Sequence, residues 1–579
     1  MTQESQWSPL GPERVSVGGT LAARARANWN RLQYRAFQDP QIFTNVDSDD
    51  WPGDWVARTL HANILLSRVL DEDSGQAARI MGGLRTHMND HGYFGARIDP
   101  HALNEQQLGS PHGWLMRGLI EYHNWVGDDE SLALLERLVD RIALPMRDWW
   151  ATYPVTIGER GRGQGEMVGA ATWQWGNWVM SSDIGNQFML LDGMSQVLEF
   201  APSTELLDSI EAGFRRFLET DLLGTNVQTH ATLTTLRALL RVYSSTGDQR
   251  YLDAVLERYR LYRERAMTEN YANNNWFGRP DTWTEPCAVV DSFIVAVGLW
   301  RVAGEARYLE DAHLIWNNAV SRGQRGNGGF GCDSCAGFGG PIIRMRDFYE
   351  AFFCCTQRGA EGHATAITST YHVREDAFAI TFPADSVAEL ELAGGTLTLR
   401  QRTSYPRRAH TSIEVVASSV ARPVEIHFFV PHWVRSPTLS LNGVEVASRI
   451  VDGFLIATVG LTAGDEIVLD GEVVAWARQT INPTSVEGHV VHHWGALVLA
   501  HRGDHVIRLP DGAVIVAEED GGFSVEGTDT VLHDLGDAIE HAPSREVIRS
   551  YKQGDYEGWS ALLIDEVEGL PRQVLFPEV

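Results

Sequence analysis

Residues 229–259, THATLTTLRALLRVYSSTGDQRYLDAVLERY, contain the pattern that decides the fold of this chain. In their first half, apolar residues recur three or four positions apart, as the buried face of a helix requires. These residues are Leu233, Leu236, Leu240 and Tyr243. Gly247 is placed to end this helix and Asp248 to begin the next, because glycine accepts the left-handed backbone at a helix C-terminus and aspartate caps an N-terminus. The stretch therefore predicts a helical hairpin.

The same joint recurs on both sides of this stretch. Gly127-Asp128 precedes the apolar pattern SLALLERL, and Gly304-Glu305 precedes ARYLEDAHLIW. A hairpin that is repeated from about residue 20 to about residue 370 predicts a repeat architecture, either an (α/α)6 helical toroid or an open solenoid. The glycine-rich and tryptophan-rich inserts between the hairpins favour the closed toroid.

The sequence pattern changes near residue 375. Segments such as GTLTLRQRT, SIEVVAS and VEIHFFV alternate in polarity or are rich in β-branched residues, and Asn442-Gly443 is a strong hairpin signal. We expect an antiparallel β-sandwich here. The predicted division is a helical domain at residues 1–375, a β-sandwich at 376–478 and a smaller β-rich region at 479–579.

The net charge of the chain indicates which classes of molecule it can bind. Hydrophobic residues make up 44% of the 579 residues, charged residues 21%, and the formal net charge is -28. A field of that sign repels nucleic acid and anionic membranes, so neither is an expected partner, whereas a small neutral carbohydrate is compatible with it. The composition leaves open whether the chain forms a homodimer.

The N-terminal sequence and the cysteines bear on location. MTQESQWSPLGPERV lacks the basic and apolar segments of a secretory signal, so we expect a cytoplasmic protein. The five cysteines are Cys287, Cys332, Cys335, Cys354 and Cys355. An odd number in a chain without an export signal favours metal binding or catalysis over a disulfide framework, with buried structural cysteines as the alternative.

One segment combines a carboxylate with a cysteine, and a later segment contains two adjacent cysteines. In TWTEPCAVVDSF, Pro286 suits the first position of a helix, which places Glu285 at the N-cap and Cys287 in the first turn. The positive end of the helix dipole favours a carboxylate and a thiolate there. Together with Cys354 and Cys355, these residues can supply four ligands to Zn²⁺, which thiolates select over magnesium or calcium.

A second ligand set competes with this one. Cys332 and Cys335 in GFGCDSCAGFGG form a C-x-x-C pair, which with Cys354 and Cys355 would make a structural zinc knuckle. We expect instead that Cys332 and Cys335 lie outside the ligand set and support a glycine-rich loop near it.

The E-x-C segment, the adjacent cysteine pair, the helical region and the β-sandwich together resemble glycoside hydrolase family 127, the β-L-arabinofuranosidases and their relatives. The resemblance implies an (α/α)6 catalytic domain followed by β-sandwich domains, and a retaining hydrolase that acts on a furanoside. It also implies that Zn²⁺ is held by Glu285, Cys287, Cys354 and Cys355, and that Cys354 attacks the anomeric carbon. Four protein ligands would leave the metal no open position for water.

The same resemblance implies an acid/base glutamate sixteen residues before the zinc-binding one. That position is Glu269, in the segment MTENYANNNW. Because its neighbours are asparagines and a tryptophan that suit a sugar-binding loop, we expect Glu269 to face the leaving group, protonate it and then activate water. A solvated surface glutamate is the alternative.

Substrate-binding residues are expected near the helix starts, which cluster at one mouth of a helical toroid. His112 and His230 each begin an amphipathic helix, and the resemblance implies histidines that bind sugar hydroxyls. The segment ATWQWGNWVMSSDIGNQF is rich in tryptophan, whose faces stack on sugar rings. The predicted substrate-binding residues are His112, His230, Trp173, Trp175, Asp183 and Trp276. Satisfied structural histidines and core tryptophans are the competing interpretations.

Two other functions are compatible with these features. One is a helical-toroid sugar epimerase or lyase with a structural zinc, which would use a histidine or tyrosine base and form no covalent intermediate. The other is a carbohydrate-binding protein without catalytic activity. A Cys354→Ser variant separates them, because only the hydrolase would lose its activity.

Overall fold

The computed structural model describes residues 7–160, 172–338, 340–345, 350–483, 485–502, 505–536 and 571–577. Twelve helices of nine residues or more occur in this part of the chain. They are α1 (Gly19–Leu32), α2 (Asp54–Leu70), α3 (Gln76–His87), α4 (Ser110–Val126), α5 (Asp129–Leu138), α6 (Leu190–Phe200), α7 (Thr204–Leu218), α8 (Thr229–Thr246), α9 (Gln249–Arg265), α10 (Pro286–Ala303), α11 (Ala306–Leu314) and α12 (Cys355–Thr368).

These helices form a closed ring of pairs. The even-numbered helices are the inner ones: each packs against the next, and α12 packs against α2, which closes the ring. The odd-numbered helices lie outside, each packed on an inner helix, with α1 on α12. The (α/α)6 toroid predicted from the repeated joints is confirmed, and the open solenoid is excluded.

The predicted joints have the expected local geometry. Gly127, Gly247 and Gly304 all adopt the left-handed backbone, with φ between 71° and 74°. The carboxylate of Asp248 accepts a hydrogen bond from the backbone N–H of Arg250 at 3.0 Å, which caps the start of α9. The glycine thus ends the helix at all three joints, while the acidic side chain caps the next helix at Asp128 and Asp248 but not at Glu305.

Short helical turns and one small sheet connect the long helices. The turns are Pro12–Arg14, Arg35–Phe37, Gln41–Phe43, Glu105–Leu108, Val139–Ala143, Met146–Trp149, Trp150–Thr152, Ile157–Arg160, Asn186–Met189, Ile315–Val320 and Ser321–Gly323. Strands β3 (Leu103–Asn104), β4 (Thr172–Trp175) and β5 (Trp178–Ser181) pair in the order β3-β5-β4. This sheet carries the tryptophan-rich segment.

Helix α10 is long and apolar enough to cross a membrane by length and composition, but 72% of its 18-residue window is buried inside the structure. It packs against α8, α11 and α12. Its apolar character therefore follows from its position within the helical ring.

Two facing sheets form the β-sandwich. Its strands are β1 (Ser8–Pro9), β2 (Val15–Val17), β6 (Tyr371–Arg374), β7 (Ala377–Ile380), β8 (Ser386–Leu392), β9 (Gly395–Thr403), β10 (Thr411–Ser418), β11 (Val424–Phe429), β12 (Val434–Leu441), β13 (Val444–Glu445), β14 (Arg449–Val451), β15 (Phe454–Val459) and β16 (Glu466–Val473). The sheet orders are β1-β6-β7-β11-β15-β14 and β13-β12-β16-β10-β9-β8-β2. The predicted sandwich is present, and the N-terminal strands β1 and β2, which we assigned to the helical domain, are part of it.

A third sheet follows the sandwich. It contains β17 (Ala475–Gln479), β18 (His489–Trp494), β19 (Leu497–Arg502), β20 (Ile515–Ala517), β21 (Phe523–Val525), β22 (Val531–Asp534), β23 (Pro571–Gln573) and β24 (Phe576–Pro577). We call this unit the C-terminal sheet. Because β17 already pairs with β18, it starts a few residues before the predicted boundary at 479.

The inner helices bring their N-termini to one end of the ring. Ser110, the first residue of α4, donates from its hydroxyl to a carboxylate oxygen of Asp54, the first residue of α2, at 2.6 Å. The first turn of α10 meets the first residue of α12 through Cys287 and Cys355. Residues at these helix starts therefore share one site.

Candidate metal centre and active site

Three thiols meet at the starts of α10 and α12. The Sγ of Cys355 lies 3.5 Å from the Sγ of Cys287 and 3.5 Å from the Sγ of Cys354. Cys287 and Cys355 are buried, whereas Cys354, the residue that caps α12, is half-buried. Only Cys354 is thus open to a molecule that enters from the end of the ring.

Glu285 stands beside these thiols as predicted, at the N-cap of α10 with Pro286 in the first turn. The side chain of Asn273 accepts from its backbone N–H at 3.4 Å. Burial, and after it the charge of Asp183, raises the pKa of Glu285 to about 8. One carboxylate oxygen of Glu285 has no hydrogen-bond partner among the described residues, which leaves it available to a ligand.

The donor atoms fit a tetrahedral metal ion. Zinc–sulfur bonds of about 2.3 Å at tetrahedral angles put neighbouring sulfurs about 3.8 Å apart, close to the observed 3.5 Å. Burial raises the pKa of Cys287 and Cys355, because a buried thiolate is poorly solvated. A bound dication would stabilise the two thiolates and so offset this effect of burial. Metal-compatible groups occur as Cys287 with Cys354 and Cys355, and as His230 with Glu285 and Cys287.

The C-x-x-C pair is not part of either group. Cys332 is close enough to Cys355 to raise the pKa of that thiol, so it lies near the cluster. Cys335 lies 3.8 Å from the backbone carbonyl of Asn273. The two residues of the pair thus have different neighbours, and neither belongs to a metal-compatible group among the described residues.

His230 presents one ring nitrogen to the same site. Its Nδ1 lies 2.7 Å from a carboxylate oxygen of Asp291. Burial opposes ionisation of Asp291, but Arg358 and Arg237 hold its pKa well below the usual range, so this carboxylate only accepts. Burial lowers the pKa of His230 itself to about 4. The ring is therefore neutral with its proton on Nδ1, and Nε2 offers a lone pair without a partner among the described residues.

Two buried amides lie next to His230. The backbone carbonyls of Asn274 and Asn275 accept from the hydroxyl and the N–H of Thr229, the first residue of α8. Neither side-chain amide has a hydrogen-bond partner in the described part of the chain, although both are buried. Because buried polar groups are normally paired, these amides together with His230 Nε2 mark a place for a polar ligand such as a sugar.

An arginine that the sequence analysis did not single out also faces the thiols. The Nη1 of Arg58 lies 4.0 Å from the Sγ of Cys287, and its Nε donates to Asp54 at 2.6 Å. Its guanidinium carbon stands 4.7 Å from the ring centroid of Trp114. No motif signals Arg58, because it precedes Cys287 by 229 residues.

A buried ion network fills the ring beneath the site. Its members come from five inner helices and are Arg117, Asp192, Arg237, Asp291, Arg358 and Glu361. One face of Trp114 stacks on His230, with ring centroids 6.0 Å apart and planes 5° apart. The network fixes Asp291, which in turn fixes the orientation of the His230 ring.

Glu269 is enclosed rather than free in its loop, which excludes the alternative of a solvated surface glutamate. Its side chain is fully buried, and one oxygen accepts from Arg478 at 2.7 Å. The other oxygen accepts from the backbone N–H of Asn482 at 2.9 Å and from the Ser485 hydroxyl at 2.6 Å, while the N–H of Ile481 is shared by both oxygens. Both carboxylate oxygens are thus committed to the C-terminal sheet and the segment after β17.

His112 is also more constrained than the sequence suggested. Its Nε2 accepts from the backbone N–H of Phe94 at 3.1 Å, and its Nδ1 donates to the carbonyl of Gln107 at 2.7 Å. The ring is fully buried, and burial lowers its pKa to about 4. With both nitrogens occupied, His112 has no atom left for a sugar hydroxyl, so its contacts are those of a satisfied structural histidine.

The predicted aromatic residues divide between surface and core. Trp175 on β4 is 44% exposed, and Trp173 is half-buried. Trp276 is 1% exposed, and its indole N–H donates to the carbonyl of Ser182 at 3.3 Å. Asp183 is buried directly after β5, close enough to Glu285 for its charge to raise that pKa. Of these residues, Asp183 is therefore the one that acts on Glu285, beside the three clustered thiols.

The comparisons with known proteins agree on one family likeness. Residues 379–472 match the family model described as the middle domain of GH127 beta-L-arabinofuranosidases. A solved structure of a GH127 beta-arabinofuranosidase is similar with a TM-score of 0.69 and 12% identity, covering 100% of this chain and 99% of that one. A GH127 beta-L-arabinofuranosidase from Geobacillus stearothermophilus T6 has a TM-score of 0.65 and 16% identity, covering 87% and 90%.

A further structure, described as a glycoside hydrolase, has a TM-score of 0.69 and 13% identity, covering 100% of this chain and 98% of that one. No curated protein matches the sequence. The chain is thus GH127-like in the sequence of its sandwich and in fold along its whole length.

Proposed function

We propose that this chain, with its GH127-like fold and sandwich sequence, is a zinc-dependent retaining glycoside hydrolase that acts on a β-L-arabinofuranoside-like substrate. The observation that carries the proposal is that Cys287 meets Cys354 and Cys355 in one metal-compatible group and Glu285 in a second, so that the four residues adjoin at one end of the ring. A purely structural metal site would not need a half-buried thiol, nor the unpartnered amides of the asparagine segment beside it.

The proposed metal ligands are those four residues, and bound Zn²⁺ would supply the charge that keeps the thiols ionised at neutral pH. The thiolate of Cys354 attacks the anomeric carbon as the bond to the leaving oxygen breaks, and a carboxylic acid gives that oxygen its proton. Water then attacks the thioglycosyl carbon, the carboxylate takes the proton of that water, and the carbon–sulfur bond breaks to return the thiolate. Two displacements on one carbon retain its configuration.

Two carboxylates are candidates for the proton donor. The resemblance assigns Glu269, but both of its oxygens accept from donors of the C-terminal sheet and its following segment. Asp183 is buried, and its charge acts on Glu285. We propose Asp183, which lies close enough to Glu285 to act on its pKa, as the acid/base, and Glu269 as the anchor of the C-terminal sheet.

Variants of the two carboxylates separate these roles. Asp183→Asn is expected to slow hydrolysis of an alkyl furanoside by about 100-fold to 10,000-fold and of a nitrophenyl furanoside much less, because only the alkyl leaving group needs a proton. Glu269→Gln should instead lower the free energy of unfolding by on the order of 3 kcal/mol, as the loss of a buried ion-pair partner does. Arg478→Met is the matched control, since it breaks the same pair from the other side.

Initial rates on both substrates and urea unfolding curves give the result. If Glu269→Gln shows leaving-group dependence that Arg478→Met lacks, Glu269 is the acid after all and the proposal for Asp183 is wrong.

A panel of nitrophenyl glycosides tests the proposed function. We expect nitrophenol release from the β-L-arabinofuranoside at a rate far above that from pyranosides of the same sugar, with retained configuration in the first-formed product. A sugar epimerase or lyase would convert free or uronate-containing sugars and release no nitrophenol. The absence of release from every furanoside in the panel, by protein that contains its metal, would refute the hydrolase proposal.

A further inference from the structure

We propose that Arg58 is a positioning residue for the metal cluster, which it stabilises by donating a charged hydrogen bond to the Cys287 sulfur. The inference rests on the proposed metal site and goes beyond it, since Arg58 is assigned neither to the ligands nor to the sugar-binding residues. It starts from the contact of 4.0 Å between Arg58 Nη1 and Cys287 Sγ.

The guanidinium of Arg58 is held by Asp54 at its Nε and by Trp114 under its plane, while its Nη1 faces a thiol. Asp54, one helical turn earlier in α2, accepts from its Nε at 2.6 Å and is itself held by Ser110 at 2.6 Å. The ring of Trp114 lies under the guanidinium plane, and Arg58 is 5% exposed. A donor held this firmly loses little further freedom when it bonds to sulfur.

The contact between Arg58 and Cys287 is important because the site carries an excess of negative charge. One carboxylate and three thiolates bring more negative charge than a single dication neutralises, and the cluster is buried. An excess of charge in such a place is costly unless hydrogen bonds or cations compensate for it. Arg358, another arginine over the Trp114 ring, is bound to Asp291 and Glu361, whereas Arg58 keeps Nη1 directed at sulfur.

Residues that bond to metal ligands in this way typically change metal affinity by about 10-fold to 100-fold when they are removed. We therefore expect Arg58→Met to raise the zinc dissociation constant by about that factor. Arg58→Lys keeps the charge but lacks the rigid planar fork that points separate N–H groups at Asp54 and Cys287, so its zinc affinity should fall between those of the wild type and Arg58→Met. Arg68→Met is the matched control, because Arg68 lies on the same helix but pairs with Glu13 and Glu121 at the surface.

The experiment is a chelator competition for Zn²⁺ on the full-length chain, with the melting temperature of each metal-free variant measured in parallel. Weaker binding by Arg58→Met, an intermediate value for Arg58→Lys and wild-type affinity for Arg68→Met would support the inference. Wild-type affinity in Arg58→Met, or in Arg58→Lys if the first variant does not fold, would overturn it. If the wild-type chain itself binds no zinc, the proposed metal site is wrong, and the inference about Arg58 is wrong with it. Zinc binding by the wild type therefore distinguishes failure of the metal site from failure of the Arg58 inference alone.

Discussion

Cys354→Ala should lower kcat/KM for the furanoside substrate by at least roughly 10,000-fold, since it removes the atom that forms the covalent intermediate. The expectation falls on Cys354 because it alone of the three clustered thiols is half-buried, at the N-cap of α12. Its neighbours Cys287 and Cys355 are 0% and 1% exposed and have no open side from which to attack.

The matched control for Cys354→Ala is Cys335→Ser. Cys335 is also buried, but its sulfur lies against the carbonyl of Asn273 and it belongs to neither metal-compatible group. We expect this variant to hydrolyse the substrate at close to the wild-type rate. Initial rates on one nitrophenyl furanoside measure both variants. Near-normal nitrophenol release by Cys354→Ala would show that the hydrolase does not use Cys354 as its nucleophile.

Cys355→Ser should remove both the metal and the activity. Its sulfur lies 3.5 Å from each of the other two, so its loss opens the cluster at its centre. We expect the zinc content to fall from about one ion per chain to a small fraction of that, because a closed site needs all four of its ligands. Melting temperature should fall as well, since a metal that binds only the folded chain stabilises it.

Elemental analysis and a thermal melt with and without chelator check this prediction. Wild-type protein treated with chelator should lose activity and regain it with Zn²⁺, which controls for damage by the substitution. Cys355→Ser that retains one tightly bound zinc would show that the ligand set is wrong and would favour a site built around His230, Glu285 and Cys287.

The toroid could be predicted from the sequence because its signals are local. Each Gly-Asp joint is a pair of adjacent residues whose backbone preferences reverse the chain, and Gly247 and Asp248 do so in the structure. The position of Glu285 and Cys287 at the start of α10 followed in the same way from Pro286. Metal chemistry suggested combining them with Cys354 and Cys355, but no local rule relates segments 68 residues apart, so only the resemblance favoured this set over the rival one.

The contacts that sequence reasoning missed join residues that no sequence pattern relates. Spacing identified Glu269 but could not show that Arg478, 209 residues later, occupies its carboxylate. Likewise the helix start identified His112, whereas Phe94 and Gln107 take both of its nitrogens. Arg58 was missed because an arginine within an amphipathic helix has no pattern that reveals a sulfur as its neighbour.

The measurement that tests the central claim most directly is mass spectrometry of the enzyme quenched during turnover of a slow furanoside, followed by peptide mapping. We expect a mass increase of one glycosyl residue, located on Cys354. With a nitrophenyl furanoside, whose leaving group needs no proton, this adduct should accumulate further in Asp183→Asn, because that variant lacks the base for the second displacement. An adduct on a carboxylate, or no adduct while product with retained configuration is formed, would contradict the cysteine mechanism.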